Sequence, residues 1–492
     1  MKINRIITTL LIMTTLFQQT AFAAFWQKND NAKLGNEIKK EEFPESKDVE
    51  PKVETSDTLV ITGSVEEVMD ISLEECLRYA LGNNPRIQAA LQDVFASDAR
   101  IKQAWSAYFP NFSWQTGYTR IKQLQLSDAL GRNLIFNYFV LGQITASQML
   151  YDFGVTQNQV TIRKLDNQGY KIMLTGVVND VVCEVKKSYY NLQYALEAKK
   201  VAQDMVERYE AFYNQARAFY MAGTSPKVDV TIAEVNLSNS KLLLIQAENA
   251  VEIAMAKLNN TMGLPYANKY KISDNLRYNP IDLTLNEAIN IARESRPEFQ
   301  LAEIRVEEAK QNVKLVKKSY FPKITAEGQY QIGGRTFTSN YGYNFGGYLS
   351  FPTVNGMLIR NEIKEAKALH TREQANASNT KNNIYFEIQQ SYYSMIEKKN
   401  SIPVSFLGMK QAKENYELSY GRYKVGVGNP VELKEAQVQY QSAMLQYYNS
   451  LYQFNSARAE LEKFIGKNIT DGEIELDNKS TKNTKKNKKK KS

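Results

Sequence analysis

This 492-residue chain nearly lacks two of the residues on which most site chemistry depends: it has one histidine, His370, and two cysteines, Cys76 and Cys183. Two thiols cannot build a disulfide framework or a cysteine-rich zinc or iron–sulfur site. One imidazole argues against a histidine-ligated metal and against a histidine general base. No nucleophile motif, metal-ligand cluster or glycine-rich phosphate loop occurs. We therefore expect no catalytic residue, no metal and no cofactor. Beyond the first 23 residues there is also no run of about 18 apolar residues, which excludes a membrane-spanning helix.

The charge is unevenly placed. The net charge is +9, but eight lysines lie within Lys479–Ser492 and Lys2 and Arg5 lie within the first 23 residues, neither stretch containing an acid. The body between is close to neutral, whereas a nucleic-acid-binding protein carries its basic charge on folded elements. No nucleic-acid partner is expected.

The ends are processing and tail segments. Residues 1–23 have a charged start, an apolar stretch from Ile6 to Phe17 and small residues at Ala21 and Ala23, the pattern of a secretory signal; an ordinary N-terminal helix is the alternative. Residues 24–70 are polar, with mixed charge and with Pro44 and Pro51, and are expected to form a flexible extension. Residues 471–492 end in the lysine-rich tail, a solvated segment or one that contacts an anionic surface.

The remainder is written twice. Leu73, Glu75, Pro85, Gln88, Val94, Tyr108, Phe109, Pro110 and Tyr118 recur 212 positions later as Leu285, Glu287, Pro297, Gln300, Val306, Tyr320, Phe321, Pro322 and Tyr330. Further on, Ser188-Tyr189-Tyr190, Tyr220, Gly223 and Gly263 recur 203 positions later as Ser391-Tyr392-Tyr393, Tyr423, Gly426 and Gly466. Such self-similarity marks an internal duplication, with repeats at 71–282 and 283–470.

Each repeat mixes two periodicities. Ser72 with Glu75, and Thr284 with Glu287, are capping boxes that start short helices. Pro85 and Pro297 open second helices of about 24 residues, at a position proline tolerates. After Pro110 and Pro322 the period becomes two. Phe112, Trp114, Thr116 and Tyr118 alternate with polar residues and glycine, as do Ile324, Ala326, Tyr330 and Ile332. That is a strand with one apolar and one polar face. Second strands are expected over 137–149 and 341–351, with loops over 120–136 and 334–340. Long helical stretches follow, over 154–222 and 357–425, each roughly 100 Å at about 1.5 Å per residue. They end at Gly223 and Gly426, and helices of about 35 residues return to Gly263 and Gly466. Pro403 should kink or unwind the second long helix.

Strands with an apolar outer and a polar inner face, in an exported chain rich in tyrosine, read as a transmembrane barrel. Four strands cannot close one, and an open edge is not tolerated in lipid, so several chains must join. A soluble two-sheet sandwich joined to a coiled coil, and a trimeric stalk or adhesin without a conducting pore, are the rival readings.

The doubled Leu-x-Glu helix start with Asn84-Pro85 or Arg296-Pro297 after it, the doubled Tyr-Phe-Pro before a strand and the doubled Tyr-x-x-Gly at the hairpin end together resemble the TolC family of outer-membrane efflux proteins, over about residues 71–470. The resemblance implies a mixed α/β membrane protein. Three copies would form a twelve-stranded barrel, four strands from each chain, in the outer membrane of a Gram-negative bacterium, and a long α-helical barrel would continue it through the periplasm. It implies a homotrimer in outer-membrane lipid. A periplasmic adaptor and an inner-membrane transporter of RND, ABC or MFS type would be its partners, in tripartite efflux or type I secretion. It also implies a constriction near the hairpin ends. Tyr423 matches the family's tyrosine there, and Asp229, Glu432 and Glu435 match its carboxylates. The tips Gly223, Thr224, Gly426 and Val427 would meet the adaptor. The family's basic residue two positions after the second glycine is replaced by Gly428; Lys424 and Lys434 are the nearby bases that could stand in for it.

For Asp229 and Glu432, stabilisation by the dipole in the first turn of a helix is an alternative role. A ring of such carboxylates would favour cations.

Overall fold

The computed structural model describes residues 70–117, 120–127, 133–264, 270–272, 276–278, 283–334, 341–351 and 357–467. The predicted signal at 1–23, the extension up to 69 and the tail at 471–492 lie outside the described residues. All described residues belong to one compact unit, Val68–Ser492.

The elements are β1 (Asp70–Ile71), α1 (Leu73–Asn83), α2 (Pro85–Trp105), β2 (Asn111–Thr116), β3 (Arg120–Ser127), β4 (Asn133–Tyr151), α3 (Val155–Met221), α4 (Lys227–Met262), β5 (Lys271–Ile272), α5 (Leu285–Ser295), α6 (Pro297–Lys317), β6 (Lys323–Gly334), β7 (Tyr341–Ser350), α7 (Leu358–Lys424) and α8 (Pro430–Ile465). The two halves carry helices of equal length in the same order: 11, 21, 67 and 36 residues. Both capping boxes form, at Ser72 with Glu75 and at Thr284 with Glu287. Among the described residues no helix is long and apolar enough to cross a membrane.

Three expectations need correction. Residues 120–127 and 133–136, read as loop, are strand: β3 pairs antiparallel with the first part of β4. Asp70, placed in the extension, pairs with Lys271 in a two-residue parallel bridge between β1 and β5. Pro403 neither ends nor unwinds α7, whose helix continues through it from Leu358 to Lys424. Tertiary packing along both flanks outweighs the single backbone hydrogen bond that proline removes.

The extra strand leaves the count of strand positions at four. β2 faces β4 from Ser147 to Gly142, and β3 faces β4 from Phe139 to Asn133. Phe139 pairs with Arg120 on one edge and Gly334 on the other, so β2 and β3 follow each other along the same edge of β4. The order across the sheet is then β2 with β3, β4, β6, β7, and every pairing is antiparallel.

Cross-strand partners share a face. Trp114, Ile144, Tyr330 and Tyr343 form one row across all four positions, and Phe112, Ala146, Gly328 and Phe345 form the next. The intervening rows are polar: Ser113, Thr145, Gln329 and Asn344, then Gln115, Gln143, Gln331 and Gly342. Among the described residues nothing covers the apolar face. Tyr343 is 80% and Phe345 82% exposed.

The long helices find different partners along their length. Beside the sheet α3 packs on α2 and α6, and α6 packs on α7; farther on, α3 packs on α4 and α8, and α7 packs on α8. A 67-residue helix of about 100 Å cannot be covered by one 36-residue neighbour of about 54 Å, so the shorter helices share the task. Three apolar clusters result. One joins α1, α3 and α4 around Cys76, Tyr189, Leu192 and Leu258. Its counterpart joins α5, α7 and α8 around Ala288, Ile388, Phe454 and Leu461. The third unites both hairpins near their tips. Both cysteines are buried and neither forms a disulfide, and His370 lies part-buried on α7. Between the hairpins Glu462 is buried and receives Lys186 at 2.5 Å and Arg458 at 3.2 Å, so that one carboxylate serves two cations out of water.

Gly263 and Gly466 end the returning helices in the left-handed region, at φ 73° and 76°. A Cβ on Gly263 would lie 2.6 Å from the Asn83 carbonyl oxygen, and one on Gly466 would lie 2.9 Å from that of Ser295. These are the junctions between the short and the proline-started helix of each half. Gly263→Ala combines a left-handed alanine with a backbone clash and should destabilise the protein by about 3 kcal/mol, read as a lowered urea midpoint in detergent.

Candidate functional site

Both hairpins turn in the same way. α3 ends with Gly223 at φ 72° and α7 with Gly426 at φ 82°. The Gly223 and Thr224 amides donate to the Tyr220 and Phe219 carbonyls, both at 3.0 Å. The Gly426 and Val427 amides donate to those of Tyr423 and Arg422, at 3.0 and 3.1 Å. This paired arrangement satisfies carbonyls a helix end leaves open, and it requires a residue that tolerates positive φ at the first position. The four predicted tip residues, Gly223, Thr224, Gly426 and Val427, thus stand on two equivalent, rigid turns; Val427 is exposed, as are Met221 and Val425 beside it.

The predicted constriction residues divide into two groups. Tyr423 is buried: it packs on Phe212, with ring centres 5.1 Å apart, and on Phe219 at 6.2 Å, so the last turn of α7 is fastened to the first hairpin. Burial, and then the charge of Asp229, push the Tyr423 phenol above its ordinary pKa, so these two predicted residues come together. Asp229 accepts a hydrogen bond from the Ser225 hydroxyl and sits in the first turn of α4, where the helix dipole favours it. Glu432 and Glu435 are exposed on α8. The helix cap is Asn429, whose side chain accepts from the Val431 amide at 2.8 Å, so Glu432 is free for another role. It takes Arg422 Nη1 at 3.0 Å. Glu435 has only a long contact from Gln439, at 3.5 Å.

Arg422 therefore partners Glu432, where sequence reasoning pointed to Lys424 or Lys434. The signal was present: Arg422 directly precedes Tyr423, and the tight turn folds it back on the first turn of α8. Gly428 has its own reason. A Cβ there would lie 2.6 Å from the Tyr423 amide nitrogen and 2.9 Å from the Arg422 carbonyl carbon. The turn has no room for a side chain, basic or otherwise, in this conformation. Gly428→Ala should push the turn open and part Arg422 from Glu432, with a conductance higher than that of the unchanged protein in a planar bilayer.

Sequence reasoning also missed the tip cluster behind these residues. Arg208 of α3 lies over the rings of Tyr416 and Tyr440, at 5.0 and 5.7 Å, and Tyr416 stacks on Tyr440 at 5.7 Å. Near the tips, the seam between hairpins thus adds aromatic and cationic contacts to its aliphatic ones. Such contacts add to burial when geometry is met and weaken when it is lost.

The sheet and the tips have the form of a two-faced wall carried on a stalk of long helices. The sequence profile described as outer membrane efflux protein matches residues 76–264 and 288–467. The chain belongs to this family. The matched segments fall one in each half of the chain. Among relatives, protein CyaE of Bordetella pertussis is 23% identical over 381 residues, covering 76% of this chain and 79% of its own. The toxin and drug export protein A of Aggregatibacter actinomycetemcomitans is 21% identical over 336 residues, covering 67% and 72%. Among solved structures, the Campylobacter jejuni CmeC outer membrane channel superposes with a TM-score of 0.70 at 18% identity, covering 85% of this chain and 88% of that one. This efflux-family protein is an outer-membrane protein of a Gram-negative bacterium.

Proposed function

We propose that three copies of this efflux-family chain close their sheets into one twelve-stranded barrel and form a conduit from the periplasm to the exterior. The two-faced sheet carries this reading. Its apolar rows are bare, its polar rows are continuous across four strand positions, and β2 and β7 are left as edges. Lipid does not tolerate unpaired edges. Because strand directions alternate, β7 of one copy can join β2 of the next antiparallel, and the ring closes by rotation. The polar faces then line a wet interior.

In this reading the helices continue the conduit and narrow it at the tips, where Asp229, Glu432 and Glu435 contribute nine carboxylates in three copies and Tyr423 holds the hairpins together. The two equivalent turns, Gly223–Thr224 and Gly426–Val427, present a docking surface to a periplasmic adaptor, which joins the conduit to an inner-membrane transporter of RND, ABC or MFS type. One relative, the toxin and drug export protein A, supports secretion of a polypeptide or extrusion of a small molecule, with the transporter choosing between them. The chain itself does no chemistry.

Light scattering of the detergent-purified protein tests the closure. A protein mass three times that of the chain in denaturant is expected. A monomeric mass in a folded sample would overturn the reading, because one sheet alone cannot close.

A further inference from the structure

Where the helices meet the sheet, three chain stretches carry bases and no acid. Residues 99–117 hold Arg100 and Lys102; residues 153–165 hold Arg163 and Lys164; residues 309–326 hold Lys310, Lys314, Lys317, Lys318 and Lys323. These are the end of α2, the start of α3 and the end of α6, which pack side by side. The fourth junction, the start of α7, is mixed, with Glu362 and Glu365 among its bases. The body of the chain is near neutral, so this concentration is local.

Its level is marked by aromatic residues. Trp105 and Tyr108 lie 5.3 Å apart at the end of α2, Phe153 stacks on Phe321 at 5.3 Å, and Tyr151 meets Phe153 at 4.9 Å. All five are more than one-third exposed, and they lie at or within a few residues of a strand end. Rings so placed on a barrel sit at the bilayer–water boundary. Lys102 and Lys317 precede Trp105 and Tyr320 by three residues, about 5 Å along the helix, and Lys164 lies about 14 Å into α3. That is headgroup depth and just beyond.

Lys310 pairs with Glu307 at 2.9 Å, Arg163 faces Asp166 at 3.7 Å and Arg100 donates to the Tyr170 hydroxyl at 3.1 Å, but few of the other bases have local duties. Lys318 does have one: its ammonium donates to the Gly154 carbonyl at 2.6 Å and to Asn158 at 3.3 Å. Lys102 is 82% exposed and its Asp98 contact is long, at 3.5 Å. Lys164, Lys314 and Lys317 are exposed. A favourable helix dipole accounts for Lys102 and Lys317, in or near the last turn, but its effect fades within one turn. It accounts equally for Lys314, in the last turn of α6, but not for Lys164 near the start of α3, whose neighbour Arg163 faces Asp166 at 3.7 Å.

Resting on the reading that the sheet crosses the bilayer, we propose that this junction is a belt that binds the phosphate headgroups of anionic phospholipid in the periplasmic leaflet. The belt would fix the depth and tilt of the barrel and gather anionic lipid around it. Each base near an anionic surface adds a favourable, salt-screened increment.

The test uses the full-length protein in vesicles, with spin-labelled phosphatidylglycerol and phosphatidylcholine as probes of lipid held at the protein surface. The expected result is about a threefold or greater preference for phosphatidylglycerol, lost at high salt. The variant Lys102→Gln, Lys164→Gln, Lys314→Gln, Lys317→Gln should lose most of it, and the matching four-fold Lys→Arg variant should keep it and so control for folding. Equal binding of both lipids to the unchanged protein would overturn the belt. So would an undiminished preference in the glutamine variant, which would move the effect to the lysine-rich tail. Absence of surface-held lipid of either kind would overturn the bilayer reading itself.

Discussion

Phe345→Arg should abolish most membrane assembly, whereas Asn344→Arg, one residue away, should be tolerated. Phe345 lies on the apolar face in register with Gly328, and Gly328 pairs with Ala146. A charged residue on a lipid-facing strand position costs about 2–4 kcal/mol at the middle of the bilayer and less near its surfaces. In a trimer that cost is incurred three times. Asn344 belongs to the polar row with Gln329 and Thr145, where a guanidinium remains in water. The comparison is read as the fraction of each protein recovered in the membrane and as the urea midpoint of the recovered fraction. Equal loss in both variants would mean that the two faces of the sheet are not distinguished by lipid.

Glu435→Gln should reduce cation preference more than Glu432→Gln, and the double variant should reduce it most. The reason is local pairing. Arg422 lies 3.0 Å from Glu432 and offsets its charge, while Glu435 is exposed with only an amide near it. An exposed ion pair is worth little in stability, about 0–1 kcal/mol, so neither change should unfold the tip. The field along the conduit depends on net charge, and three unpaired Glu435 carboxylates contribute more than three neutralised Glu432 side chains. We expect the potassium-to-chloride permeability ratio to fall about twofold or more in Glu435→Gln. Arg422→Ala should do the reverse and raise cation preference by unmasking Glu432. Identical ratios in all these proteins would remove the three positions from the constriction.

Much of this was legible because the devices are local and duplicated. Ser72 with Glu75 and Thr284 with Glu287 announce helix starts within four residues. Gly223, Gly263, Gly426 and Gly466 mark the ends where only positive φ serves, and all four adopt it. The alternation from Asn111 and from Lys323 revealed which face of each strand is apolar. β3 was not legible because its apolar residues change phase, from Ile121 to Leu124 and Leu126, and its pairing with β4 shifts register after Leu124. The β1–β5 bridge is two residues long and joins positions some two hundred apart, below any periodic signal. In the site, the carboxylates were implied by the family resemblance, but Arg422 was not, since its partner lies across a turn. The burial of Tyr423 was hidden too: it depends on Phe212 and Phe219, which come from the other half of the chain.

Single-channel current through the full-length protein in a planar bilayer tests the central claim, a continuous conduit narrowed by carboxylates. The account predicts a small, cation-selective conductance that multivalent cations block, and a larger conductance in Gly428→Ala. An anion-selective current, or silence from both the unchanged protein and Gly428→Ala after confirmed insertion, would contradict it.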